Sequence, residues 1–264
     1  MPLINLIAYG EPDDFSKYYI RHNITHIVSN YEYKCDIIID LYNNNKLNQS
    51  CKNLIILPDK FINCDKFIWF DCSFNKLIFI PETIYQLKVF DFSSNNIKQI
   101  DMYGYPNLKY LIANSNKIKQ IKNLSNRLIY LDVSNNPINK FGDFVFVNFI
   151  SIKLEYLIIV KTKIKIIDLT NFTKLKYLDI SMNSLDSNSM DNLPNTLLYL
   201  ICSHCDIKFL DNLPLSLHTL KCNHNYINNL NMLPSSILEL DCSKNLISEL
   251  DDLPFSIKKL KWKN

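Results

Sequence analysis

A motif of about twenty residues recurs along this chain, most clearly in its last third. Residues 213–230 read LPLSLHTLKCNHNYINNL, and residues 233–250 read LPSSILELDCSKNLISEL. The two copies share Leu-Pro-x-Ser-apolar-x-x-Leu-x-Cys-x-x-Asn-x-Ile-x-x-Leu, which places Asn225 and Asn245 twenty positions apart. A fixed period near twenty residues is typical of a solenoid, in which stacked repeats bury a core that one repeat alone cannot close.

Each part of the motif has a physical role. The apolar-x-apolar pair predicts a short strand with one buried face, and the later apolar pair anchors the returning chain. The Asn can bond the backbone of a turn from within. Because the chain has only three glycines, we expect positive-φ turn positions to fall to Asn, the next most tolerant residue type.

The core of the motif, L-x-x-L-x-L-x-x-N-x-L-x-x-L, resembles the leucine-rich repeat family. Its LP-x-S-L opening and short period are similar to the class found in bacterial effector proteins. The Asn, Ile and Lys bias is similar to that of AT-rich genomes, and the style of the repeats resembles that of leucine-rich repeat proteins from giant viruses of amoebae. The resemblance implies an α/β-type solenoid, a right-handed superhelix with a concave parallel β-sheet. We expect a mostly non-helical convex side, extended or 3₁₀, because the period leaves too few residues for a helix.

The repeat array covers residues 47–264, with a degraded repeat at 47–58 and about ten clear repeats from residue 67. Two repeats have Thr162 and Cys205 in place of the Asn; the hydroxyl can still bond backbone, whereas the thiol does so poorly. An insertion at residues 142–153 has room for a helical turn. Residues 1–46 do not follow the repeat. We interpret them as an N-terminal cap with a short helix and strand, and a small separate domain is the alternative.

Composition and charge restrict the possible partners and compartment. A net charge of +3 is too small to indicate binding to nucleic acid or to a membrane surface. The sequence has no signal peptide and no apolar run of membrane-spanning length. We therefore expect a cytoplasmic protein, in the host cytosol if it is viral. All eight cysteines are expected to be thiols there, and Cys72, Cys202, Cys222 and Cys242 occupy an apolar slot of the strand.

Residues that flank the buried strand positions line the concave side of the predicted sheet. One such row is mostly aromatic along seven strands, and the row beside it is mostly acidic or aliphatic. Exposed aromatic side chains beside acidic ones are typical of interface hot spots, so we predict a partner-binding face. The alternative is that the tyrosines only stack on one another. The predicted residues are Trp69, Asp71, Asp91, Tyr110, Tyr130, Asp132, Tyr156, Tyr177, Asp179 and Tyr199.

The sequence offers no candidate for catalysis. It contains no nucleophile elbow, phosphate loop, zinc-protease helix or dinucleotide motif, so we predict no catalytic residue and no cofactor. The string Cys202-Ser203-His204-Cys205 has metal-site spacing, but its cysteines fill the apolar slot and the Asn slot. We therefore predict no metal.

The favoured function is a non-enzymatic, monomeric module that binds a protein partner. A second hypothesis is a substrate-recognition subunit of a ubiquitin-ligase assembly, because bacterial effectors with similar repeats include ubiquitin ligases. A third hypothesis is a structural protein that assembles end to end.

Overall fold

The computed structural model describes residues 46–57, 68–139, 144–146, 152–186, 191–250 and 253–263, with the backbone alone for 46 and 144–146. The chain divides into two compact units, Met1–Asn43 and Asn44–Asn264. The first unit, and with it the predicted cap helix and strand, lies outside the described residues.

Short strands, one from each repeat, build the second unit. Eleven of them form a parallel sheet in the order β1-β2-β3-β5-β7-β9-β10-β11-β12-β13-β14, so successive repeats are spatial neighbours. This confirms the predicted parallel solenoid. The strands are β1 Lys46–Asn48, β2 Trp69–Asp71, β3 Val89–Asp91, β4 Gln99–Asp101, β5 Tyr110–Ile112, β6 Gln120–Leu124, β7 Tyr130–Asp132, β8 Phe144–Phe146, β9 Tyr156–Ile158, β10 Tyr177–Asp179, β11 Tyr199–Ile201, β12 Thr219–Lys221, β13 Glu239–Asp241 and β14 Lys259–Lys261.

One continuous core runs through the array, from Leu47 to Cys242. Along the eleven-stranded sheet, from β2 to β13, it contains the middle residue of each strand, such as Leu178, and the apolar residue just after the strand, such as Ile180. Every strand pair of this eleven-stranded sheet aligns equivalent motif positions, for example Leu178 with Leu200. The register is therefore the one that keeps all leucines on the buried face, since a slip of one residue would expose them.

The convex side carries a second sheet, which the sequence analysis did not predict. Strands β4, β6 and β8 are parallel and lie side by side. Strand β8, Phe144–Phe146, falls in the insertion at residues 142–153, where aromatic and β-branched residues favour a strand. The remaining places for the possible helical turn, residues 142–143 and 147–151, lie outside the described residues. No helix occurs in the described ranges, and this confirms the mostly non-helical convex side.

The Leu-Pro-x-Ser segment forms a tight turn and a link to the preceding repeat. The carbonyl of Pro214 accepts a hydrogen bond from Leu217 N at 3.0 Å, and the equivalent turns at Pro194, Pro234 and Pro254 are alike. The Ser216 hydroxyl donates to Leu197 O, 2.7 Å away and one repeat earlier. Ser236 and Ser256 repeat this bond at 2.7 Å. The sequence analysis gave this serine no role, although its position in the motif was evident.

The motif asparagines form a second link, a ladder that runs through the turns. Asn225 Oδ1 accepts from Cys205 N and Ile207 N at 2.9 and 3.0 Å. Its Nδ2 donates to Cys202 O and Cys222 O at 2.8 and 2.9 Å. One buried amide thus satisfies four backbone groups in two repeats, and this confirms the role predicted for the Asn. The other members are Asn75, Asn95, Asn116, Asn136, Asn183 and Asn245.

The two substituted ladder positions make fewer or weaker bonds. The Thr162 hydroxyl donates to Asn183 Oδ1 at 2.7 Å and lies 3.4 Å from Ile159 O. Cys205 Sγ lies 3.1 Å from Ile180 O and 3.4 Å from Ser203 O. Thiols are weak donors, so Cys205 makes weaker hydrogen bonds than Thr162 at its position in the ladder, as the sequence indicates.

The expectation that Asn supplies the positive-φ positions is wrong for most of them. Four of the fourteen described positive-φ residues are Asn. Nine of the fourteen instead come just before the ladder position, at Phe74, Ser94, Ser115, Asn135, Lys161, Met182, His204, His224 and Lys244. The ladder side chain must point inward, so the preceding residue makes the left-handed turn.

The six cysteines that the structure describes divide into two groups. Cys72, Cys202, Cys205, Cys222 and Cys242 are buried thiols, as expected. Cys51 is disulfide-bonded, so the expectation of eight thiols is wrong. Cys51 is exposed and lies in a turn, so the packing argument that explains the strand cysteines does not apply to it.

Candidate partner-binding face

The ten predicted site residues occupy two adjacent rows on strands β2 to β11. The aromatic residues are the first residue of their strands, and the four aspartates are the third. Because equivalent positions pair across the sheet, as Tyr177 does with Tyr156 and Tyr199, each row is continuous. The structure therefore brings the predicted residues together on one surface, while their role in binding stays a prediction.

Four tyrosines form the longest uninterrupted part of the aromatic row. We call Tyr130, Tyr156, Tyr177 and Tyr199 the tyrosine stripe. Successive ring centroids are 6.4, 6.2 and 6.4 Å apart, and the ring planes are tilted by 30–34°. These distances fall within the range of favourable aromatic pairs, each worth about 0.5–1.5 kcal/mol. The rings thus contribute to stability as well as forming a surface.

Most of the aromatic row is buried, although we expected it to be exposed. Tyr177 is 2% exposed, and Trp69, Tyr110, Tyr130 and Tyr156 are all below 9%. Neighbouring parallel strands lie only about 4.8 Å apart, so each ring covers part of the next. Tyr199 and the adjacent Ile201 are half-buried. The accessible end of the tyrosine stripe is therefore at β11.

Burial extends the neutral form of these phenols to higher pH. It raises the pKa of Tyr156 to about 12, with a further contribution from the nearby Glu155 carboxylate. The pKa values of Tyr130 and Tyr177 are also raised, first by burial and then by nearby aspartates. The tyrosine stripe thus offers neutral hydroxyl groups that can donate a hydrogen bond.

The Tyr177 hydroxyl is the one buried side-chain polar group without a hydrogen-bond partner in the described part of the chain. A buried hydroxyl that lacks a partner costs about 1–3 kcal/mol. Such a group in a folded protein calls for an explanation, and an acceptor supplied from outside the chain is one. Sequence reasoning placed Tyr177 in the site but had no means to find this property.

The acidic row has a structural role that sequence reasoning missed. Asp71 Oδ1 accepts from Ser73 N at 2.9 Å, which closes a turn at the end of β2. Asp91, Asp132 and Asp179 do the same with the serine two residues on, at 2.9–3.0 Å. The recurring Asp-x-Ser pattern, typical of an Asx turn, was the available signal. These carboxylates therefore cap their own strands whether or not they bind a partner.

Asp179 has a perturbed acidity. Burial raises its pKa to about 6, the Asp132 carboxylate adds to this, and the hydrogen bonds from Ser181 oppose it. At β13, burial also raises the pKa of Asp241, but bonds from Ser243 and Lys261 outweigh this and lower it overall. Asp179 and Asp241 therefore differ in charge at about pH 6, although they occupy equivalent positions in their repeats.

Beyond β11 the concave face becomes charged. Lys259 forms an ion pair with Glu239, and Lys261 Nζ lies 3.2 Å from Asp241 Oδ2. These pairs join adjacent strands and are partly exposed, so each contributes little to stability.

The histidine and cysteine string does not form a metal cluster. His204 and His224 stack on each other with centroids 4.1 Å apart. Burial raises the pKa of Cys205 to about 12, so its sulfur is a protonated thiol. In the residues that the structure describes, no three His, Cys, Asp or Glu side chains are grouped to hold a metal. None of the described residues forms a helix that could span a membrane.

Comparisons with known proteins agree with this architecture. Residues 85–126 match the family model described as Leucine Rich repeats (2 copies). Mouse epiphycan is 34% identical over 84 residues, which cover 29% of this chain and 26% of epiphycan. The chain thus spans about a quarter of that relative.

Solved solenoids extend the likeness over most of the chain. YopM, a leucine-rich effector protein from Yersinia pestis, superposes with a TM-score of 0.62 at 24% identity, covering 82% of this chain and 65% of YopM. YopM from Yersinia enterocolitica gives 0.58 at 25% identity, with 76% and 47% covered. Residues 85–126 thus match leucine-rich repeats, and the described array has the fold of a leucine-rich repeat solenoid, similar to that of a bacterial effector.

Proposed function

We propose that the chain is a protein-binding module whose partner contacts the concave face around β9, β10 and β11. The leucine-rich repeat fold is an interaction scaffold, and no catalytic constellation was found in the sequence. The proposed contact centres on the accessible end of the tyrosine stripe.

The Tyr177 hydroxyl carries this proposal. It is a neutral donor with no acceptor in the described residues, and it lies next to the half-buried Tyr199 ring. A partner that displaces the Tyr199 ring can offer an acceptor to this hydroxyl. A backbone carbonyl suits the position better than a carboxylate, because Asp132 and Asp179 are close enough to raise the Tyr177 pKa.

Affinity capture from cell extract tests the proposal when it uses matched variants. We expect Tyr199→Ala to lose a partner that the native chain retains. Tyr226→Ala is the control, because Tyr226 is 53% exposed and lies outside the strands and the concave rows. Retention of the same proteins by all three chains would refute the concave site. Circular dichroism establishes that each variant is folded.

The other hypotheses stay predictions with their own tests. A ligase component that co-purifies with the chain would support the ubiquitin-ligase assembly. A mass in light scattering that does not change with concentration would count against end-to-end assembly and support the expected monomer. We also propose the cytoplasmic location, and fractionation of expressing cells tests it.

A further inference from the structure

The concave face from β2 to β11 is acidic. In the described eleven-stranded sheet, the first and third positions of these strands hold four aspartates and no lysine, arginine or histidine. The whole chain has a net charge of +3, so the acidity is a local property of this face. A face with charges of one sign attracts a partner segment of the opposite sign.

Two of these aspartates lie beside the tyrosine stripe at a defined spacing. Asp132 on β7 and Asp179 on β10 have one strand between them, β9, which places Ile158 in the same row. Two strand spacings put equivalent positions about 9.6 Å apart. Asp132 is half-buried and Asp179 is 7% exposed. A partner that pairs with both carboxylates must therefore present two basic side chains at this spacing.

Among regular conformations, polyproline II matches this spacing best. Every third residue lies on the same face of a polyproline II helix, and a rise of about 3.1 Å per residue puts those residues about 9.3 Å apart. In a β-strand, residues two apart share a face but are only about 6.6 Å apart. An α-helix returns to the same face after seven residues, about 10.5 Å further on, but its carbonyl groups are already bonded within the helix.

The Tyr177 hydroxyl is a second, independent indication of this conformation. Tyr177 is 2% exposed, and its hydroxyl has no partner among the described residues. Burial raises the pKa of Tyr177, and the Asp179 and Asp132 carboxylates add to this, so the hydroxyl lies near both. The carbonyl groups of polyproline II make no internal hydrogen bonds. A segment in this conformation therefore brings free acceptors to a donor that lacks one.

We propose that the concave face at β7 to β11 binds a proline-rich segment of a partner protein in the polyproline II conformation, with a basic residue at every third position facing Asp132 and Asp179. A carbonyl of the segment accepts from the Tyr177 hydroxyl, and a proline packs on the half-buried Tyr199 ring. Grooves lined by aromatic side chains are the usual docking sites of such segments. This inference rests on the proposed function, because it names the class of segment that the same site takes.

Synthetic peptides test the charge and the spacing. The probe is fluorescein-labelled Arg-Pro-Pro-Arg-Pro-Pro-Arg-Pro-Pro, titrated with the full chain by fluorescence anisotropy. One control peptide has Gln in place of each Arg, and a second has the same composition with the three Arg in one run. We expect the probe to bind at least about ten-fold more tightly than the first control and about three-fold more tightly than the second. Equal binding of the probe and either control would overturn the proposal.

Variants of the chain locate the binding. The double change Asp132→Asn and Asp179→Asn removes both charges but keeps a carbonyl oxygen for Ser134 N and Ser181 N, so the turns remain closed. It should weaken binding of the probe by at least about ten-fold. Asp241→Asn is the matched control, because Asp241 has the equivalent position in β13, beyond the tyrosine stripe. Unaltered affinity in a folded double variant, or an equal loss in Asp241→Asn, would contradict the proposal.

The two proposals for this face can fail separately. If Tyr199→Ala loses a captured partner but the arginine probe binds no more tightly than the glutamine peptide, the concave site stands and its basic, proline-rich occupant is wrong. If the native chain and Tyr199→Ala capture the same proteins, the concave site fails and this inference fails with it.

Discussion

Replacing Asn225 with alanine tests the hydrogen-bond ladder most directly. The Asn225 amide makes four hydrogen bonds of 2.8–3.0 Å to Cys205 N, Ile207 N, Cys202 O and Cys222 O. Asn225 is 5% exposed, so water has little access to replace these bonds. At about 1 kcal/mol net for each bond, Asn225→Ala should lower the free energy of unfolding by about 4 kcal/mol. For a unit of this size, that corresponds to a fall in Tm of about 8–16 °C.

Urea unfolding followed by circular dichroism measures this change as a shift in the midpoint. The matched control is Asn228→Ala, because Asn228 is exposed and three residues away in the same repeat. The control should change the free energy of unfolding by less than about 0.5 kcal/mol. If Asn225→Ala costs no more than Asn228→Ala, the ladder does not hold the repeats together and the reasoning fails.

Three further predictions concern the ladder position Cys205, the Asp179 carboxyl and the Cys222 thiol. Cys205→Asn restores an amide to the ladder and should raise the free energy of unfolding by about 1 kcal/mol; an unchanged urea midpoint would contradict this. The Asp179 carboxyl binds its proton more tightly in the folded state, so its contribution to stability is present below about pH 4 and is lost as the pH rises to about 6. Asp179→Asn keeps an acceptor for Ser181 and should stabilise the chain by about 2–3 kcal/mol at pH 7 but not at pH 4. An equal effect at both pH values in urea unfolding would refute the raised pKa of Asp179. Burial raises the pKa of the Cys222 thiol, so iodoacetamide should modify it slowly in the native chain at pH 8 and rapidly in urea. Mass spectrometry measures the labelling, and fast labelling of the native chain would show that the thiol is accessible.

The repeating part of the fold could be predicted because its causes are local. The spacing of Leu178 and Ile180 fixes one buried face of a strand, and the period fixes the stacking of neighbours. The Asn ladder could be predicted for the same reason, since one side-chain type recurs at one place in the motif. The Asp-x-Ser turns at Asp71 and Asp179 had an equally local signal, which sequence reasoning read only as a binding surface.

The features that were missed depend on neighbouring coils. The convex sheet forms where Gln99–Asp101 lies beside Gln120–Leu124, and neither segment has a strand pattern that sets it apart from other repeats. The burial of the concave tyrosines depends on how closely rings from adjacent strands pack, and their sequence positions do not fix this. The lone Tyr177 hydroxyl is likewise a property of the assembled face.

The affinity of a purified partner for Tyr177→Phe tests the central claim most directly. This change keeps the ring in the tyrosine stripe and removes only the hydroxyl. If the hydroxyl serves a partner, the variant should be more stable by about 1 kcal/mol and should bind about ten-fold more weakly. An unchanged Kd in the stabilised variant would show that the hydroxyl is not used in binding, and the proposed contact at Tyr177 would be contradicted.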